Sequence, residues 1–244
     1  MNNEEYAVMR ALEDTYWWYA ALRGEVSARV AEVLPRKDIL DAGCGSGGML
    51  ARLHGDFPEA VLSGLDFSPL AVKATLERGA TDKVIQGSVN QLPYPDASFD
   101  IVISLDVLVH AMVDEAAALA EFRRVLRPGG TLILNLAAFA CFAGSHDLAV
   151  HGVRRYTRGA LKNLARTAGL RMVSATYWNF LLSPLILAQR FVSRHARGAD
   201  SDLKALPAPI NAVLRGLTCF ELKVSRRVSL PFGSSLLAVL EVGK

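Results

Sequence analysis

The chain lacks any run of about 18 uninterrupted apolar residues, so no transmembrane helix is expected. Its first residues, Met1-Asn2-Asn3-Glu4-Glu5, have no basic stretch leading into an apolar core, so no signal peptide is expected either. Cysteine is scarce. Cys44, Cys141 and Cys219 show no metal-ligand spacing, and an odd count of three reads as reduced thiols in a cytoplasm, with no metal site. Charge of one sign is also scarce: a net +3 with scattered basic residues argues against a nucleic-acid partner. There is no internal repeat and no low-complexity segment. What remains is 244 residues, 51% hydrophobic and 21% charged, enough for one large α/β domain or two small ones. The mean hydropathy of +0.24 points to an unusually apolar surface or pocket.

The most informative stretch is Ile39-Leu40-Asp41-Ala42-Gly43-Cys44-Gly45-Ser46-Gly47-Gly48. An apolar strand runs into a carboxylate and then into a glycine-rich turn, and Met49, Leu50 and Leu53 begin a helix. Bare peptide at such a turn lets a ligand lie against the backbone, and the following helix offers unpaired N–H groups. Gly43, Gly45 and Gly48 also fit the G-x-G-x-x-G spacing of a dinucleotide site, with Asp66 beyond it. Asp41 tilts the reading away from that. It would repel a pyrophosphate and attract a ligand carrying an ammonium and a sulfonium.

Strands alternate with helices along the rest of the chain. Residues 4–34 read as a helix containing the aromatic run Tyr16-Trp17-Trp18-Tyr19, which either packs on the core or forms a lid that excludes water. Strands are expected at Ile39–Asp41, Val61–Asp66, within Lys83–Val89 (the third strand and its loop), Phe99–Ser104 and Thr131–Leu136, with helices at Gly47–His54, after Ser68-Pro69, and at Asp114–Val125. The motif Leu126-Arg127-Pro128-Gly129-Gly130 ends the last of these helices. This alternation predicts an α/β fold with a doubly wound, mainly parallel sheet. Asp41, Asp66, Ser88 and Ser104-Leu105-Asp106 then all lie at carboxyl ends of strands, where such sheets bind ligands, so one site is expected. Asp66 is placed to accept ribose hydroxyls of a nucleoside, and Phe67 to face its base.

Four segments in order, Ile39–Gly48, Gly64–Ser68, Leu92–Asp100 and Arg123–Gly130, resemble the successive motifs of class I S-adenosylmethionine-dependent methyltransferases of the type 11 kind. The resemblance is strong over residues 37–136. It implies a seven-stranded, Rossmann-like sheet whose last strand, Leu236–Val242, runs antiparallel beside Arg171–Thr176. It implies S-adenosylmethionine as cofactor, with Asp41, Ala42, Gly43, Gly45 and Gly47 around its methionine end. Asp66 would hold the ribose, Phe67, Ser88 and Val89 would face the adenine, and Leu105 would present backbone groups near the amine. The family usually has Asp where this chain has Ser88, so adenine recognition should be weaker or differently arranged. The loop His146-Asp147-Leu148-Ala149-Val150-His151-Gly152-Val153-Arg154-Arg155-Tyr156 resembles that of a narrower branch of the family with no agreed substrate.

Methyl transfer needs alignment, a dry pocket and often a base for the acceptor's proton. The His146–Tyr156 cluster is the densest polar group in the chain, so His146, His151, Asp147 and Tyr156 are the catalytic candidates. A salt-bridged loop of Asp147 with Arg154 or Arg155 would explain the same residues. Tyr16, Trp17, Trp18, His110, Arg154, Arg155 and Trp178 are the candidate substrate contacts. Four segments are expected within one domain: a helical lid (1–34), a cofactor-binding core (37–176), an apolar cap insertion (177–233) and a last strand (234–244). The insertion reads as a cap helix, an interfacial helix with basic anchors, or a dimer surface. The resulting expectation is a cytoplasmic enzyme that methylates an oxygen of an apolar or amphiphilic small molecule. Peripheral membrane contact stays open. The alternatives are a cofactor-binding protein of the same fold without transfer, and a nicotinamide dehydrogenase.

Overall fold

The computed structural model describes residues 10, 12–33, 37–144, 152–195 (191–195 by backbone alone) and 206–243. In chain order the elements are α1 (Trp17–Glu32), β1 (Asp38–Ala42), α2 (Gly48–Asp56), β2 (Val61–Asp66), α3 (Pro69–Arg78), β3 (Val84–Gln86), β4 (Phe99–Leu105), α4 (Glu115–Val125) and β5 (Leu126–Ala137). A short 3₁₀ turn at Ala140–Phe142 follows, then α5 (Arg158–Thr167), β6 (Leu170–Trp178), α6 (Ser183–His195), α7 (Ala208–Ser225) and β7 (Ser235–Val242). The strands form one seven-stranded sheet of order β3-β2-β1-β4-β5-β7-β6. The β3-β2-β1-β4-β5 pairs are parallel, and β7 runs antiparallel between β5 and β6.

Both faces of the sheet are covered, and the strand alternation shows how. On β5, Leu132, Leu134 and Leu136 join Ala118, Leu119 and Phe122 of α4 and Leu161 and Ala165 of α5. Ile133 points the other way, into a second core with Ala21, Leu22, Val26 and Val30 of α1 and Met49, Leu50 and Leu53 of α2. Successive side chains of a strand face opposite sides, so a strand buried on both faces is mostly apolar, as Ile101–Ile103 of β4 and Leu132–Leu134 of β5 are, and its buried polar groups are hydrogen-bonded, as Ser104 and Asn135 are. Capping is visible in the sequence. Ser68 caps α3 through Ala71 N–H with Pro69 at the first helical position, and the Asp114 carboxylate accepts from Ala116 and Ala117 N–H at the start of α4.

Two element boundaries differ from expectation. The helix expected over 4–34 begins, in its long part, only at Trp17, because Thr15 and Tyr16 N–H both turn back onto Leu12 O. Strand β5 starts at Leu126 rather than Thr131: Leu126 pairs with Phe99, and the register then shifts before Ile101 meets Thr131. The Arg-Pro-Gly-Gly segment therefore ends the helix as read, but does so as an irregular strand entry with Gly129 at φ 73°.

Candidate active site

The order of strands reverses between β1 and β4, and the glycine turn sits at the carboxyl end of β1 beside that crevice. Gly43 and Cys44 N–H both donate to Leu65 O, at 2.7 and 3.0 Å, which folds the turn onto β2. Gly43, Gly45 and Gly47 have φ of 93°, 56° and 82°, a region closed to most side chains. A Cβ on Gly43 would also lie 2.2 Å from Val107 Cγ2. The turn is held from outside as well. Thr75 Oγ1 donates to Gly45 O at 2.9 Å, and Arg78 Nε donates to Ser46 O at 2.5 Å.

Asp41 closes the strand beneath this turn. It is 2% exposed, and its Oδ2 has no hydrogen-bond partner. Burial, reinforced by repulsion from Asp66 and Glu13, pushes its carboxyl up to about 8. A buried carboxylate without a donor is costly unless a cation joins it. Asp66, at the end of β2, is the opposite case. Its Oδ2 accepts from Gly45 N–H and its Oδ1 from Ser68 N–H, both at 2.9 Å. Burial still raises its carboxyl, against the lowering effect of those backbone bonds. Phe67 is 65% exposed beside it. Ser88 and Val89 follow β3, and Ser88 Oγ accepts from Asn90 N–H at 3.2 Å. Leu105 ends β4, and Ala42 O accepts from Ser104 Oγ at 2.9 Å.

Several residues of this neighbourhood were not among the candidates. Glu13 binds Ser46 Oγ and forms ion pairs with Arg78 at 3.2 Å and Arg23 at 3.4 Å, so the segment before α1 is latched to the glycine turn. A Cβ on Gly48 would fall 2.1 Å from Glu13 Oε1. Arg23 Nη1 is buried with no hydrogen-bond acceptor, and burial lowers its guanidinium pKa. At the ends of β4 and β5, Asn135 Nδ2 donates to Asp106 Oδ2 at 2.7 Å, and Trp178 Nε1 donates to Asn135 Oδ1 at 2.9 Å. Asp106 has φ 56°, left-handed for a non-glycine residue. Only the aromatic and carboxylate character of these residues is visible in sequence; the strand order brings them together.

The aromatic run divides. Tyr16 precedes α1 as its N-cap and lies near Arg190, Trp17 is buried, and Trp18 stacks on Trp178 at 5.3 Å and 24°. Trp178 is fully buried, so its place is in the core under Trp18 and not on an open substrate surface. Tyr156 also changes role. Its hydroxyl lies 2.5 Å from Glu115 Oε1 and 3.0 Å from Leu108 O, and burial with the Glu115 charge raises its pKa further, which is unsuited to a base. Arg154 Nη1 donates to His110 O at 2.6 Å and its Nε pairs with Glu115 at 3.3 Å. Arg155 Nη1 donates to Ala138 O at 2.9 Å. Arg154, Arg155 and Tyr156 thus anchor their segment to the loops after β4 and β5. His110 is half-buried in the same place. His146, Asp147 and His151 lie outside the described residues. Among the described residues no group of His, Cys, Asp and Glu is arranged to hold a metal ion.

The family model described as a methyltransferase domain matches residues 40–134, the span from β1 to β5. A probable S-adenosylmethionine-dependent methyltransferase of Mycolicibacterium smegmatis is 32% identical over 163 residues, which cover 66% of this chain and 61% of that protein. A malonyl-[acyl-carrier protein] O-methyltransferase of Herminiimonas arsenicoxydans is 32% identical over 202 residues, 80% of this chain and 70% of the relative. Among solved structures, the complex between the Haloferax volcanii Trm112 methyltransferase activator and a methyltransferase superposes with a TM-score of 0.62 at 22% identity, covering 99% of this chain and 96% of that one. That likeness speaks for the fold alone. The sheet order with its antiparallel β7, the carboxylate under a glycine turn and these relatives together place the chain in the class I S-adenosylmethionine-dependent methyltransferase family.

Proposed function

We propose that this chain transfers a methyl group from S-adenosylmethionine to an oxygen of an apolar or amphiphilic small molecule. The observation that carries the cofactor half is Asp41: a buried carboxylate with an unpartnered oxygen, under a backbone cradle that a Cβ would fill. The residues fit the cofactor. Asp41 would hold the positive methionine end, Ala42, Gly43, Gly45 and Gly47 would form its backbone walls, and Leu105 would present backbone groups to the amine. Asp66 keeps lone pairs for two ribose hydroxyls, and Phe67, Ser88 and Val89 flank the base. When bound, the cofactor supplies an electrophilic methyl on a sulfonium, which needs little activation.

The chain's own work is then to align the acceptor, exclude water and take a proton. Trp18, stacked on buried Trp178, and the latch of Glu13 with Arg23 and Arg78 close the site from the side of α1. The loop carrying His146 and His151 supplies the base, since the described polar residues next to it are committed to anchoring. The oxygen acceptor is favoured by the O-methyltransferases among the relatives, and the apolar acceptor by the apolar character of the insertion between β6 and β7. The test is to incubate the protein with methyl-labelled cofactor and extract of the source cell, with Asp41→Ala as blank. Label should enter an organic-soluble small molecule in a base-labile or ether linkage. Label in protein or nucleic acid, or cofactor binding with no transfer to any fraction, overturns the proposal.

A further inference from the structure

Helix α7 is fixed to the body of the protein along one side. Thr218, Glu221, Leu222 and Ser225 are buried, and the helix packs on α1. Asn211 Oδ1 accepts from Trp17 N–H at 2.8 Å near its start, and Arg226 pairs with Glu25 at 2.6 Å just past its end. The buried Glu221 carboxylate accepts from Phe180 and Leu181 N–H, at 2.9 and 2.8 Å, and so joins the turn before α6 to the middle of α7.

The other side of α7 is apolar and bare. Ile210, Val213, Leu217, Phe220 and Val224 are 40–63% exposed. Their spacing of three and four puts them in one row along a helix, about 20 Å long. Phe180 and Leu181, exposed by 40% and 50%, lie where Glu221 holds them, against the same helix. Nine of the 17 large hydrophobic side chains exposed among the described residues fall within residues 180–228.

Charge is concentrated in the same segment, contrary to the even scatter read from the sequence. Residues 179–234 hold eight Lys and Arg against three Asp and Glu, one of the three being the buried Glu221. The other residues hold 19 against 21. All of the excess positive charge therefore belongs to this insertion. Lys223 and Arg227, exposed at the end of α7 and just beyond it, border the apolar row, whereas Arg215 is exposed on the opposite side of the helix.

From this row of apolar side chains with flanking cations, we propose that the outer face of α7, extended by Phe180 and Leu181, docks on an anionic lipid bilayer. A linear apolar stripe on the outside of a rigid helix with basic flanks is what the interface of such a bilayer accepts. Self-association through the stripe would bring two segments of net +5 face to face. The contact is peripheral, since no helix among the described residues is long and apolar enough to cross a membrane. It also sets the docked face one helix away from Trp17 and Trp18 on α1, so an amphiphilic acceptor would arrive from the lipid side. The docking itself stands whatever the acceptor is.

The test is flotation of the full chain with vesicles of phosphatidylcholine alone and of phosphatidylcholine with about one-quarter phosphatidylglycerol. Co-flotation with the anionic vesicles is expected, falling sharply in about 0.5 M salt, where the charges are screened. Leu217→Ser with Phe220→Ser should lower partitioning by roughly ten-fold or more. Lys223→Glu with Arg227→Glu should do the same on anionic vesicles, with melting temperature and cofactor affinity unchanged in both pairs. Absence of flotation overturns the proposal. So does light scattering that shows a dimer converted to monomer by the Leu217 and Phe220 changes, which would assign the face to a second copy. Capture by an acidic carrier protein with no binding to vesicles would assign it to a protein partner.

Discussion

Cofactor affinity should depend on pH through Asp41. Burial holds this carboxyl at about 8 in the free protein, against an ordinary value of 3.8. At pH 7 roughly nine-tenths of the free protein therefore carries a protonated Asp41. A cationic ligand favours the ionised form, so binding expels a proton, and affinity should rise about ten-fold per pH unit up to about pH 8. Between about pH 6 and 7.5, below the range of about 7.7–8.0 where an α-amino group loses its charge, the gain should be roughly 30-fold. Calorimetric titration of S-adenosylmethionine in buffers of different ionisation enthalpy reads both the affinity and the released proton. Asp41→Asn should bind roughly 10–100-fold more weakly, through loss of a charge-assisted contact, and with no such slope. The same linkage acts on stability with the opposite consequence. Because the folded value is raised, Asp41's contribution is fully present below about pH 4 and is lost as pH rises through about 8. The full difference corresponds to roughly 6 kcal/mol against the ionised form. Without ligand at about pH 9, Asp41→Asn should thus melt at least about 5 °C above the parent, although it binds worse. A wild-type affinity that is flat from pH 6 to 7.5, or an Asn variant that melts lower, refutes the reasoning.

Three further outcomes follow from the geometry. Gly43→Ala places a methyl 2.2 Å from Val107 Cγ2 at φ 93°, so it should lose about 1–3 kcal/mol and most cofactor binding. Adding Val107→Ala should restore part of the stability in a urea melt, because it removes the clash but not the backbone strain. Trp18→Ala removes the ring stacked on Trp178 and should cost roughly 2–4 kcal/mol; a melt unchanged within about 1 kcal/mol would mean the pair is not part of the packed structure. Ser88→Asp restores the charged acceptor usual in the family and should tighten cofactor binding by several-fold, whereas an unchanged dissociation constant would remove Ser88 from the adenine site.

The strands and the glycine turn were legible because each signal is local. β2 lies at Val61–Asp66 as read, since a half-polar strand ending in an acid and followed by Ser-Pro has no competing period. The break before α1 was not legible. Tyr16 offers no side-chain cap, and the turn is set by ion pairs of Glu13 with Arg23 and Arg78, the latter 65 residues away. The Asp106–Asn135–Trp178 chain was hidden for the same reason, as it depends on β4, β5 and β7-flanked β6 ending side by side. The α7 stripe was not among the sequence expectations, although its residues repeat with a period of three and four. Periodicity alone does not say which face of a helix meets the core, and here Thr218, Glu221 and Ser225 turn inward while Leu217 and Phe220 face out. The anchoring of Tyr156 on Glu115 likewise needed the structure, because a polar cluster in sequence looks the same whether it binds a substrate or its own loop.

The most direct measurement is a paired titration of S-adenosylmethionine and NAD into the wild-type protein and Asp41→Asn. A carboxylate beneath the glycine turn should select the cation: S-adenosylmethionine binds the wild type and is weakened by the Asn change, while NAD binds neither detectably. Binding of NAD by the wild type, or an Asn variant that holds S-adenosylmethionine as tightly as its parent, would contradict the assignment of the site.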